Sequence, residues 1–130
     1  MLLEDYIKEL EKDLNINELE LKDYQLRLPG IKHKWAGRCI RHKFDLIELR
    51  KKKETTKKTL VEEMQKQSPV KLNLPVAERA IERHSEMLEL DSKIKQLELI
   101  VELLEKSEKT LSSASYDLKN IIDIIKLETT

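Results

Sequence analysis

Residues 76–127 read VAERAIERHSEMLELDSKIKQLELIVELLEKSEKTLSSASYDLKNIIDIIKL, 52 positions without a glycine or a proline. Within them Met87, Leu90, Ile94, Leu97, Val101, Leu104, Glu108, Leu111, Ser115, Leu118, Ile122 and Ile125 step by alternating threes and fours. Ten of these twelve are apolar, which is the heptad pattern of a helix that packs along a seam. Leu88, Leu99, Ile100, Leu103, Ile121 and Ile124 widen the stripe, so neighbours from the same chain and from other subunits are both expected. The seam positions Ile94, Leu97, Val101, Leu104, Leu111, Leu118, Ile122 and Ile125 become the candidate oligomerisation residues.

Upstream, Ser68-Pro69 and Leu74-Pro75 bracket a loop, since a residue before proline avoids the helical region. The loop, residues 68–75, divides an N-terminal helical region, 1–67, from a C-terminal helical region, 76–130. In the first region Leu3, Ile7, Leu10 and Leu14 lie on one face of a short helix ending near Asn15. Asn17 and Glu20 have the spacing of a capping box that opens a second helix. Pro29 and Gly30 are expected to break or kink it, with a long helix resuming to about Gln67. Its apolar row is Ile31, Trp35, Cys39, Leu46, Leu49, Leu60 and Met64, supplemented by Ile40, Phe44 and Ile47. Between Arg50 and Thr59 no apolar residue occurs, so that stretch should be exposed all round.

Composition agrees with an all-α chain. Of 130 residues 38% are charged and 4% aromatic, and there are two glycines and three prolines, too few turn-formers for a sandwich or barrel. The length suits one small domain or an elongated helical subunit. One cysteine excludes an internal disulfide, and the start, MLLEDYIKEL, is acidic where a signal peptide would be basic. A soluble protein of a reducing cytoplasm is expected, with no membrane span, because the run from Leu99 to Leu104 is far too short.

The net charge is zero, yet the charges are segregated. Residues 1–31 carry 4 basic and 8 acidic groups, residues 32–58 carry 11 and 3, residues 59–85 carry 4 and 4, and residues 86–130 carry 6 and 10. A local excess of +8 on an otherwise acidic chain points to a polyanion, with nucleic acid first. The candidate DNA-binding residues are Arg50, Lys51, Lys52, Lys53, Lys57 and Lys58, with Lys34, Arg38, Arg41 and Lys43 upstream. Trp35 is added as an aromatic that could stack on an unpaired base, against the commoner role of a core residue. Between Arg50 and Lys58 only Glu54 is negative, so helix-stabilising i,i+4 partners are nearly missing. Contacts made by lysine imply backbone binding without sequence preference.

No enzyme constellation is present, and neither a cofactor nor a metal is expected. There is no phosphate-binding glycine loop. Cys39 with His42 reads as a core cysteine beside a surface histidine, and His33, Cys39 and His42 fall short of a zinc set.

The opening LLEDYIKELEKDLNI, the KHKW at 32–35 followed by a long basic helix, and the ending SYDLKNIIDIIKLE at 115–128 together resemble the UvsY family of recombination mediators of tailed bacteriophages. That resemblance covers most of the chain, in order and in length. It implies a non-enzymatic protein in the cytoplasm of the infected bacterial host. Such a protein binds single-stranded DNA and helps load a UvsX-type recombinase onto strands covered by the phage single-stranded DNA-binding protein. It also implies a closed homo-oligomeric ring, hexameric or heptameric. The family's basic motif is matched in part: Lys57 and Leu60 agree, Thr59 with Lys58 beside it replaces an arginine, and Glu62 and Glu63 stand where aromatics are expected. Two rivals follow from the residues alone. One is a coiled-coil scaffold protein whose basic helix docks an acidic protein partner. The other is a regulator of double-stranded DNA or of RNA, which would need base-reading side chains that are sparse near the patch.

Overall fold

A computed structural model describes residues 1–71 and 73–129. Four α-helices are present, α1 (Leu2–Leu14), α2 (Leu21–Gln67), α3 (Leu74–Glu82) and α4 (Ser85–Thr129), with a 3-10 turn at Glu18–Glu20 and no strand among the described residues. The fold is all-α.

Helix α2 does not break at Pro29-Gly30 but runs through as one helix. Proline deletes one backbone donor and leaves one carbonyl unpaired. That carbonyl belongs to Gln25, which is solvent-exposed, so water can meet it. On the opposite side Tyr24, Leu28, Ile31 and Trp35 are buried and hold the helix across the defect. The Asn17 cap forms, its side chain accepting from the Leu19 N–H at 3.0 Å, but it starts the 3-10 turn that leads into α2.

The C-terminal stretch is likewise divided where no glycine or proline marks it. Helix α3 begins with Pro75 in its first turn, ends at Glu82, and gives way at Arg83-His84 to α4. His84 Nδ1 accepts the Glu86 N–H at 3.2 Å, satisfying one of the orphan donors of the new helix. Among the described residues no helix is long and apolar enough to cross a membrane.

The residues cluster into two compact units that do not follow chain order. The first joins residues 1–41 to 100–130. Its core is Leu10, Tyr24, Leu28, Ile31, Trp35 and Cys39 with Ile100, Val101, Leu104, Leu111, Ala114 and Leu118. The second comprises residues 42–99, with Leu46, Ala77, Ile81, Met87, Leu90 and Ile94 buried.

This changes the reading of the heptads. Ile94, Val101, Leu104, Leu111 and Leu118 are all under 9% exposed within a single chain, and Leu97, Ile122 and Ile125 are half-buried. Five of the eight seam positions are therefore packed against residues of the same chain, while Leu97, Ile122 and Ile125 keep part of their surface open. Ile40, Phe44 and Ile47, counted in the apolar row of α2, lie outside the core at 65%, 60% and 49% exposure.

Candidate nucleic-acid interface

The basic residues of α2 have different surroundings in the two units. In the first unit Lys32, Lys34, Arg38 and Arg41 are carried by the early turns of α2. Lys34 Nζ lies 2.6 Å from Asp13 Oδ2 and 3.1 Å from Glu9 Oε1, while Arg38 holds the other Glu9 oxygen. Trp35 is fully buried, and its Nε1–H donates to Asp13 Oδ2 at 2.8 Å. Its ring packs edge-on against Tyr6 with centroids 5.4 Å apart, and lies 5.1 Å from the Lys34 ammonium and 4.7 Å from the Arg38 guanidinium. Arg38 also sits 5.1 Å from the Tyr6 ring.

These side chains lock α1 onto α2. The Tyr24 hydroxyl completes the lock by donating to the Asp13 carbonyl at 3.0 Å, one of the carbonyls the end of α1 leaves without a helical partner. Arg38's hydrogen bond, with Lys34's behind it, holds the Glu9 carboxyl below its ordinary value despite partial burial. Burial pulls the Lys34 ammonium down, but Asp13 and Glu9 together outweigh it and leave the group above its ordinary value. Burial, reinforced by Asp13, raises the Tyr24 hydroxyl. Of the two roles weighed for Trp35, it has that of a core residue, since no part of the ring reaches solvent. Lys34 and Arg38 are committed to carboxylates of α1. Lys32 donates to Ser115 Oγ at 3.1 Å, whereas Arg41 is exposed and has no ion-pair partner among the described residues.

In the second unit the lysine run is not bare on all sides. Lys53 pairs with Asp91, Arg50 with Glu98 at 3.0 Å, and Lys57 reaches Glu78 at 3.9 Å. The acidic partners missing from the local sequence are thus supplied by α3 and α4, from 21 to 48 positions away. Over residues 42–99 the charges come to 13 basic and 11 acidic, so the field of the run is much diluted by its neighbours. Lys43 is half-buried and engaged.

Within the run of residues 50–58 three lysines remain available. Lys51 has only Glu48 at 3.6 Å, with both side chains more than half exposed. Lys52 and Lys58 are exposed and have no ion-pair partner among the described residues. Lys52 borders a notch with Thr56, Glu86, Glu89, Leu90 and Lys93. Lys58 borders another with Glu54, Lys57, Val61, Glu62, Leu74 and Glu78. Among the described residues no group of three or more His, Cys, Asp or Glu side chains is placed to hold a metal ion.

No protein-family model matches this sequence, and no curated protein matches it. Solved structures do match. Three crystal structures of the bacteriophage T4 recombination mediator protein UvsY superpose over nearly the whole chain. The lattice type IV form gives a TM-score of 0.84 at 18% identity, covering 98% of this chain and 99% of that one. For lattice type II the values are 0.77 and 17%, covering 100% and 99%, and for lattice type I they are 0.75 and 16%, covering 95% and 98%. With so few identities the likeness resides in the helices and their packing, and on that ground the chain has the fold of the T4 recombination mediator UvsY.

Proposed function

We infer that this chain is a non-enzymatic recombination mediator that binds single-stranded DNA through its phosphates and without sequence preference. The observation that carries the reading is the likeness of fold to a recombination mediator over at least 95% of both chains. Lys51, Lys52 and Lys58, exposed and left unneutralised or nearly so in a run whose other cations, Arg50, Lys53 and Lys57, are paired, are the groups through which it would act. Lysine is a point charge suited to phosphate and poor at reading bases, which fits a protein that must hold any strand.

Each subunit contributes few such charges. A homo-oligomeric ring would repeat them, converting a weak contact into a strong one by raising the effective concentration of each successive site. A strand gripped in this way would be handed from the single-stranded DNA-binding protein that covers it to a UvsX-type recombinase. The decisive experiment compares single- and double-stranded DNA of one length at two salt concentrations, with the mass of the protein assembly measured in parallel. Salt-sensitive preference for the single strand by an oligomer is the expected result. An oligomer with no DNA affinity that captures acidic proteins instead would leave the scaffold reading.

A further inference from the structure

Five aromatic side chains occur in the chain, and the structure sorts them. Trp35 and Tyr24 are buried and Tyr6 is half-buried against Trp35. Phe44 and Tyr116 are exposed, at 60% and 73%. Tyr116 sits on α4 beside Asp117, with Lys119 one turn away. Phe44 has different company. Along α2 within the second unit, Phe44, Ile47, Lys51, Thr55 and Lys58 are separated by steps of three or four and so share one side of the helix. That side is opposite the one on which Leu46 is buried and from which Lys53 reaches Asp91. Phe44 and Ile47 therefore form a small exposed apolar step, and the two lysines that follow, over about 21 Å of helix, are among the cations least committed to carboxylates.

We propose that Phe44 is a stacking platform for unpaired bases, with Ile47 beside it and Lys51 and Lys58 taking the phosphates of the same strand. The proposal rests on the single-strand reading above and adds to it the element that distinguishes a single strand from a duplex. An exposed apolar ring on the helix side that also presents the Lys51 and Lys58 ammonium groups is matched by a ligand that is itself apolar in one part and anionic in another. Unpaired nucleotides are such a ligand: every base offers a π-face, so stacking is tolerant of sequence, whereas in a duplex those faces are already covered. Glu48, Glu54 and Glu62 lie near the same side, which keeps the phosphate contacts few and leaves stacking a larger share of the affinity.

The test uses the full chain and two oligonucleotides of equal length, one ordinary and one with abasic sites through its middle, so that phosphates match and bases do not. The unsubstituted protein should bind the ordinary strand more tightly. Phe44→Ala should weaken that binding by about five- to 150-fold, the range that loss of one base–aromatic stack gives. It should leave the abasic strand, the duplex, the salt slope and the assembly mass unchanged. Phe44→Trp should retain affinity and show fluorescence quenched by the ordinary strand, against a Trp35 background shielded by burial. Equal binding of both oligonucleotides by the unsubstituted protein, with a steep salt slope, would overturn stacking while leaving the phosphate reading standing. Absence of binding to either would overturn both. A Phe44→Ala protein of altered mass would assign the patch to subunit contact, and one that weakens both strands equally would make Phe44 structural.

Discussion

Glu9 accepts from both Lys34 and Arg38, and together with Asp13 it carries the polar half of the attachment between α1 and α2, Leu10 supplying part of the apolar half. The sign of its pH dependence follows from the lowered carboxyl. In the folded chain Glu9 gives up its proton more readily than in the unfolded chain, so its contribution is complete above the unfolded value, about 4.3, and is lost as pH falls through the folded one. Lys34 works in the other direction: its raised value gives a contribution complete at and below neutrality and lost only as strongly alkaline pH is reached. Glu9 and Lys34 are about one-third exposed, so solvent screens them and the change is a loosening of α1 rather than collapse of the fold. On acidification below about pH 4, amide exchange in residues 2–14 should accelerate and Trp35 emission should shift red, while amides of α4 around Leu104 stay protected. Glu9→Gln should remove most of this transition. A transition unchanged in that variant would place the responsible carboxylate elsewhere.

At the scale of elements, α2 carries all of the candidate DNA-binding groups. Its helical period and its cationic run are legible in the sequence, but the partners of that run are not. Asp91 and Glu98 neutralise Lys53 and Arg50 only because α4 lies alongside, and no local spacing encodes that. The same limit explains the two boundaries read differently from the chain. Pro29 marks a break in isolation but is overridden by the buried row at Tyr24, Leu28, Ile31 and Trp35, whereas Arg83-His84 carries no breaker and still separates α3 from α4, whose first turn His84 caps. The lysines consequently divide into two groups with different expected behaviour. Replacing Lys51, Lys52 and Lys58 together with alanine keeps helix propensity high and should lower affinity for all single strands alike. The slope of log affinity against log salt should flatten by about 0.7 for each phosphate left without its lysine, or about 2 for three. Lys53→Ala should leave the slope nearly unchanged and reduce thermal stability by about 0.2–1 kcal/mol, the scale of a partly exposed ion pair. Anisotropy titrations over a salt series and thermal melts distinguish the two. If Lys53→Ala flattens the slope as much as Lys52→Ala, the Asp91 pair opens on DNA and α4 yields its partner to the phosphate.

For the whole molecule, heptad spacing declares that α4 has a seam but not whose residues fill it. Here the chain fills it itself: in the first unit the amino-terminal residues Leu10, Tyr24, Leu28, Ile31, Trp35 and Cys39 share a core with Leu104, Leu111 and Leu118 of the carboxy-terminal half. The buried seam positions become a test of where stability resides. Leu104 and Leu111 are 0% and 1% exposed, so truncation to alanine removes buried methyl groups and opens cavities, costing about 2–5 kcal/mol each. If the seam is internal, the melting temperature falls by the same amount at every protein concentration, because folding is unimolecular in that core. If instead the leucines join subunits, the midpoint rises with concentration and the variants dissociate before they unfold, as mass action requires. Melts across a hundredfold range of concentration, paired with sedimentation below the midpoint, separate the two. The expected outcome is a concentration-independent loss of stability in Leu104→Ala and Leu111→Ala with unchanged mass at low temperature. Dissociation of a folded chain in either variant would return the seam to the interface.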